Sequence, residues 1–300
     1  VEAGYLYLAD ARGAAPLRAH HARQLACGAE IDLLDAAALQ ARWPWLATAG
    51  LALATHGRRG EGWFDGPALH TAFRRKARAC GACFVQADAV GFDSRGERVH
   101  AVRDAGGHTH PANAVLIAAG AWSAPLAAAL GLALPVSAKK RDVFVLDSPA
   151  RLPGCPLLID PSGVWLRPEG SGFIAGAPPR DSDPDDAPLD AIDHGLFEAL
   201  IWPTLAARIP ALEALRVRSA WAGYYEMNAF DRNGVAGAVP AWANAFLACG
   251  FSGHGMQHAP AIGQAMAERI VTGRYGTLDL SPLGAERLQR GEHLVEHNII

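Results

Sequence analysis

Gly250, Gly253 and Gly255 alternate with Phe251, Ser252 and His254 directly ahead of Gln257, His258 and an apolar-periodic run that closes at Gly273. Small or apolar residues at Ala261, Ile262, Ala265, Met266 and Ile270 share one helical face, and the AFLACG stretch before the loop reads as a strand. A glycine loop between a strand's carboxyl end and a helix N-terminus offers free N–H groups and the positive end of the helix dipole, which attract negative charge or electron-rich oxygens. The spacing suits a flat or anionic ligand lying against bare backbone. Tight strand-to-helix packing with no ligand suits it too, and these residues alone leave both readings open.

Other constellations are weaker. His293-Leu294-Val295-Glu296-His297 matches the zinc-protease pattern H-x-x-E-H without room for a downstream ligand, and His254 and His258 have no carboxylate between them as H-E-x-x-H requires. No metal site is expected. Cys80-Gly81-Ala82-Cys83 has redox spacing, but Gly81 reads as a helix stop, not the helix start that lowers a thiol pKa, so buried packing is expected. Lys139, Lys140 and Arg141 are suited to a substrate carboxylate, with a solvated loop as the favoured reading; Arg167 is open between an ion pair and an anion contact.

The elements that must position these residues are those of a large globular protein. The chain has 300 residues, half hydrophobic and 19% charged, with a net charge of −3 that gives no argument for nucleic acid or anionic membrane as a partner. A small molecule is the expected partner. No apolar run reaches the roughly 18 residues of a transmembrane span. Five cysteines without framework spacing point to a reducing compartment, buried thiols and a cytoplasmic location.

Alternation predicts strands at GYLYLAD, GLALATHG and LRVRSAWAGYYEM, and a helix over LLDAAALQARWPWL that Pro44 ends. Asp65 is placed to cap a helix that runs to Gly81. Ala114 to Ala119 reads as a strand buried on both faces, and Gly120 turns it into a helix. Short β pieces fill Lys139 to Ala175, helix flanks Pro203, and NAFDRNGVAGAVP reads as a loop. A strand, a glycine turn and a helix suggest an open α/β sheet, whose ligands sit at the strands' carboxyl ends.

Four segments, VLIAAGAWSAPLAAALGLALPV, GVWLRPEGSGFIAGA, WAGYYEMNAFDRNGVAGAVP and ACGFSGHGMQHAPAIGQAMAERIVTG, resemble in order and spacing the FAD-dependent D-amino-acid oxidase superfamily, with its sarcosine and glycine oxidases and dimethylglycine dehydrogenases. GYYEMNAFDRNG and the C-terminal tail are most similar to the FAD-dependent oxidoreductase domain-containing group, whose mitochondrial members assist respiratory complex I assembly. The resemblance implies a mixed α/β, two-domain flavoprotein. Its expected FAD domain covers residues 58–123 and 224–300, Rossmann-like but incomplete, and an antiparallel-sheet substrate domain covers 1–57 and 124–223.

By resemblance, Gly250, Phe251, Gly253, His254, Gly255 and Gln257 lie along the flavin, Ala118, Gly120 and Trp122 turn beside it, and the backbone of Val90 meets the adenine. Tyr224, Tyr225 and Arg167 are implied substrate contacts, and Tyr225, His254 and Gln257 the residues lining the reaction site. The implied reaction is hydride transfer to non-covalent FAD from a C–N carbon of an amino acid or secondary amine, with a separate electron acceptor. A non-catalytic FAD-containing assembly protein with a protein partner, or an inactive fragment, is the alternative. Two departures matter. The G-x-G-x-x-G fingerprint is missing, which predicts a C-terminal portion of a longer protein. Gly223 and Gln257 stand where sarcosine-type relatives carry a flavin-linking cysteine and a lysine, so a dehydrogenase is expected over a fast oxidase.

Overall fold

The computed structural model describes residues 1–180 and 182–294. Its first half runs β1 (Tyr5–Ala9), α1 (Ala14–Ala26), β2 (Ile31–Leu34), α2 (Ala36–Arg42), β3 (Leu53–Gly57), α3 (Gly66–Ala79), β4 (Ala89–Arg95), β5 (Arg98–Asp104), β6 (Thr109–Pro111), β7 (Val115–Ile117) and α4 (Ser123–Ala128). Then follow β8 (Val136–Asp147), β9 (Leu157–Ile159), β10 (Trp165–Glu169), β11 (Gly172–Gly176), α5 (His194–Leu196), α6 (Trp202–Arg208), β12 (Arg216–Asn228), β13 (Val235–Ala238), β14 (Ala245–Cys249), α7 (Gly255–Thr272) and α8 (Glu286–Arg290).

Eight strands form one sheet in the order β12-β8-β11-β10-β9-β1-β3-β2, antiparallel except where β1 meets β9. Successive strand residues point to opposite faces. One face carries Leu6, Phe144, Leu158 and Leu166 into a core closed by Leu39 of α2 and by Ile201 and Leu205 beside α6. The other face is packed by α1 at its β1-β3-β2 end, where Leu17 meets Ala9 and Leu53, and the cleft described below lies over the stretch from β12 to β1. A second core joins β7, α4 and β14, with Leu132, Leu134 and Val136 packed against Val115 and Leu247. Its sheet has the order β13-β14-β7 with β14 and β7 parallel, and β4-β5-β6 forms a separate meander.

Several expectations change. The strand expected over Ala114 to Ala119 shortens to Val115–Ile117, and Leu116 is 40% exposed because β7 is an edge strand with one face uncovered. NAFDRNGVAGAVP contains β13, whose small residues pair in register with β14. Lys139, Lys140 and Arg141 lie within β8, not in a solvated loop. Cys27, Cys80 and Cys83 are exposed where burial was expected; Cys155 and Cys249 are buried, and desolvation pushes both thiols up to about 12. α4 and Leu130–Val136 pack with β7 and β14, and β12 runs from Arg216 to Asn228. Among the described residues no helix is long and apolar enough to cross a membrane.

Candidate functional site

The strand pairing strings Trp221, Val143, Gly176, Trp165, Ile159 and Tyr7 into one row across the open face, from β12 to β1. Arg141 sits one step along β8, opposite Gly223. Arg167 sits one step the other way on β10, opposite Ile174. This floor bounds a cleft of about 490 Å³, roofed by Trp63, Gly253, His254, Met256 and Gln257. A second hollow of about 720 Å³ shares Tyr5, Tyr7, Trp63, Met256 and Gln257 with the first, so the two form one continuous space.

The roof is the glycine loop. It leaves β14 through Gly250 at φ +73°, turns at Ser252 (φ +50°) and Gly253 (φ +96°), and enters α7 at Gly255. A Cβ at Gly253 would overlap the Tyr225 ring, so glycine is what lets the loop rest on that aromatic. Ser252 is held against β12: its hydroxyl accepts from the Asn228 N–H at 3.0 Å, and its own N–H donates to the Glu226 carbonyl at 3.1 Å. No side chain caps α7; the His258 N–H donates to the His254 carbonyl at 3.4 Å, and the N–H groups of Gly255, Met256 and Gln257 ahead of it have no intrahelical acceptor.

Electrostatics divide the cleft's charged groups. Arg141 is 6% exposed, its guanidinium lies 4.6 Å over the Tyr225 ring, and Nη1 has no hydrogen-bond partner. Burial lowers its pKa, partly offset by Tyr225. No ion pair reaches it among the described residues. Lys139, by contrast, bonds Asp185 at 2.9 Å, and Lys140 lies 3.6 Å from Asp142. Arg167 is neutralised by Glu169 and stacks on Trp63 at 5.5 Å. Arg141 is therefore the uncompensated cation of the floor.

Two carboxylates not singled out in the sequence brace the roof and its neighbour. Glu226 lies beneath the loop, where its Oε1 accepts from the Phe251 N–H at 3.3 Å; Glu61 Oε2 accepts from the Tyr5 N–H at 3.0 Å. Burial raises both pKa values, against the pull of these backbone donors. A raised native pKa means that the folded state keeps its proton to higher pH than the unfolded chain, so the contribution of these two groups to stability is greatest below the ordinary carboxylate range and declines as pH rises through the raised value. Thermal melts from about pH 4 to about pH 8 are expected to show that decline, and Glu226→Gln to flatten it; an unchanged slope would mean that Glu226 is not ionising inside the fold.

The structure brings Tyr224, Tyr225, Arg167, Gly253, His254 and Gln257 together on one cleft. Tyr224 also meets Trp122 edge-on at 5.9 Å, which ties the turn after β7 to β12, and its hydroxyl donates to the Ala187 carbonyl at 2.7 Å. Gly120 adopts φ +55° in that turn, two residues after Ala118, and a Cβ there would meet nothing nearer than Glu226 Oε2 at 3.9 Å. Gly250 and Gly255 frame the loop, whereas the Phe251 ring is buried with Ile262 and Met266. Val90 lies exposed on β4 and is not among the cleft's lining. His258 stacks with His254 at 6.1 Å, and no metal-holding cluster occurs among the described residues; residues 295–297 of the H-x-x-E-H match lie outside them.

A family model described as FAD dependent oxidoreductase (DAO) matches residues 1–269. FAD-dependent oxidoreductase domain-containing protein 1 of Xenopus laevis is 40% identical across 99% of this chain and 66% of its own length. This chain thus spans about two-thirds of that curated relative. Among solved structures, L-proline dehydrogenase from P. horikoshii is similar with a TM-score of 0.84 at 25% identity, covering 97% of this chain and 78% of that one. Glycine oxidase from Geobacillus kaustophilus is similar with a TM-score of 0.78 at 25% identity, covering 95% and 75%. With that family model covering residues 1–269 and a relative 40% identical across 99% of it, the chain belongs to the DAO family of FAD-dependent oxidoreductases.

Proposed function

We propose that the protein oxidises a C–N bond of an amino acid or secondary amine by hydride transfer to FAD, with the substrate's carboxylate on Arg141. The observation that supports this most is the buried, ion-pair-free Arg141 facing a cleft whose roof is the flavin-family glycine loop. The residues present fit a flavin. Gly120 has an open face, and the first turn of α7 would offer its N–H groups to an electron-rich ring edge. Bound FAD supplies the two-electron acceptor.

The chain's own residues bind and orient. Arg141 anchors the carboxylate, and the Tyr225 ring beneath fixes the guanidinium's plane. Gly253, His254 and Gln257 cover the substrate and exclude water from the roof side. Glu2 and Glu61 line the second hollow, where Glu61 is held by the Tyr5 N–H, and a neutral amine held over the ring needs no proton-abstracting carboxylate. Gly223 offers no thiol, in keeping with non-covalent FAD.

Anaerobic mixing of the FAD-loaded, full-length protein with N-methyl and cyclic amino acids, each beside its decarboxylated counterpart, tests the reading. At least one carboxylated amine is expected to bleach the flavin band while its counterpart does not. Bleaching by no amine would remove the enzymatic reading and leave a role for FAD as a structural element of an assembly protein.

A further inference from the structure

We infer that the substrate bears, besides its carboxylate, a large flat uncharged apolar group, of the size of a two-ring aryl, seated between Trp221 and Trp165; this rests on the carboxylate site proposed at Arg141. The row across the floor places these indoles at either side of Val143 and Gly176. Three strand spacings separate their backbones, about 14 Å. A Cβ at Gly176 would come within 2.9 Å of the Trp165 ring, so this glycine is what lets the indole lie down over β11, with Val143 between it and Trp221 as the floor of the bay. Arg141 stands one step along β8 from Val143, about 7 Å away. A carboxylate on Arg141 therefore directs its substituent into the bay.

Two further features select the chemistry of that substituent. Trp221 is 53% exposed, on an edge strand and inside a concavity, where a bare indole is suited to being covered by an apolar partner. The row that forms the seat, Trp221, Val143, Gly176 and Trp165, carries no charged side chain, so it offers a charged substituent no partner of opposite sign.

Binding of unreactive carboxylates to the FAD-loaded, full-length protein, followed by calorimetry and by tryptophan fluorescence, tests this. 2-Naphthoate is expected to bind about 100-fold more tightly than acetate, from the apolar area it covers. Trp221→Ala is expected to weaken naphthoate by about tenfold more than acetate, and Gly176→Val, which displaces the Trp165 indole from over β11, to do the same by a different route. Equal affinities for the two carboxylates, or an advantage of naphthoate that survives both substitutions, would overturn the inference. The two readings fail separately. Tight naphthoate binding with no amine reducing the flavin keeps the seat and removes the reaction; flavin reduction fastest with the smallest amino acids keeps the reaction and removes the aryl seat.

Discussion

Asp231→Ala is expected to destabilise the protein by about 3–5 kcal/mol, read as a fall in the denaturant midpoint at unchanged slope. Asp231 and Arg287 form an ion pair whose side chains are 2% and 3% exposed. Most of the pair's polar atoms are partnered, Arg287 Nε excepted. Arg287 Nη2 donates to the carbonyls of Asn233 (3.2 Å) and Gly234 (3.1 Å), while Asp231 accepts from the Leu294 N–H at 2.9 Å and the Asn233 N–H at 3.1 Å. Removing the acid leaves a guanidinium in the interior facing carbonyls alone, and the desolvation of that charge is then uncompensated. Replacing both partners with apolar residues of similar volume is expected to recover much of the loss. The pair ties α8 to the turn between β12 and β13, and β12 carries Tyr225 and Glu226 under the glycine loop. Hydrogen exchange in residues 250–256 is therefore expected to quicken in the single variant. Full stability in that variant would show that α8 is not fastened through this pair.

The parts of this structure that were legible beforehand are those set by local chemistry. Asp65 caps α3 by accepting from the Ala68 N–H, Gly273 ends α7 in the left-handed conformation, and the glycine loop joins β14 to α7 as its composition requires. Tyr225, Arg167 and His254, far apart in sequence, meet because strand order brings β10, β12 and the loop together, which the family resemblance implied and periodicity did not. Arg141 was obscured for a physical reason. Three consecutive basic residues read as a solvated run, yet extended backbone divides them: Lys139 reaches Asp185, Lys140 reaches Asp142, and Arg141 is left facing the cleft. Tyr7, Trp165 and Trp221 share the cleft face because strand order brings β1, β10 and β12 into one sheet, which alternation within each strand does not show. Glu226 reads as the solvent-facing residue of an edge strand until the loop is known to fold over it. α1 has a weak apolar stripe with Leu17 as its buried residue, and the Gly and Ala content of β13 hides its extended conformation.

Arg141→Met separates a residue kept for binding from one kept for stability, because the two roles predict opposite signs. A guanidinium buried with no ion pair and with an unpartnered Nη1 costs folding free energy that a methionine of similar reach does not. The variant is expected to melt at a higher temperature than the parent protein. Its loss falls on the substrate: a buried, charge-assisted contact to a carboxylate contributes roughly 2–4 kcal/mol, or about 30-fold to 1000-fold. That loss is expected in KM and in the affinity for unreactive carboxylates, with decarboxylated analogues unaffected. Arg141→Lys keeps the charge but not the planar fork that lies on Tyr225, so it is expected to recover only part of the affinity. If Arg141 instead held β8 to β12, the methionine variant would melt at a lower temperature and carboxylate affinity would fall no more than that of neutral analogues. A rise in Tm together with selective loss of carboxylates is the signature of a cation that the fold tolerates for its ligand.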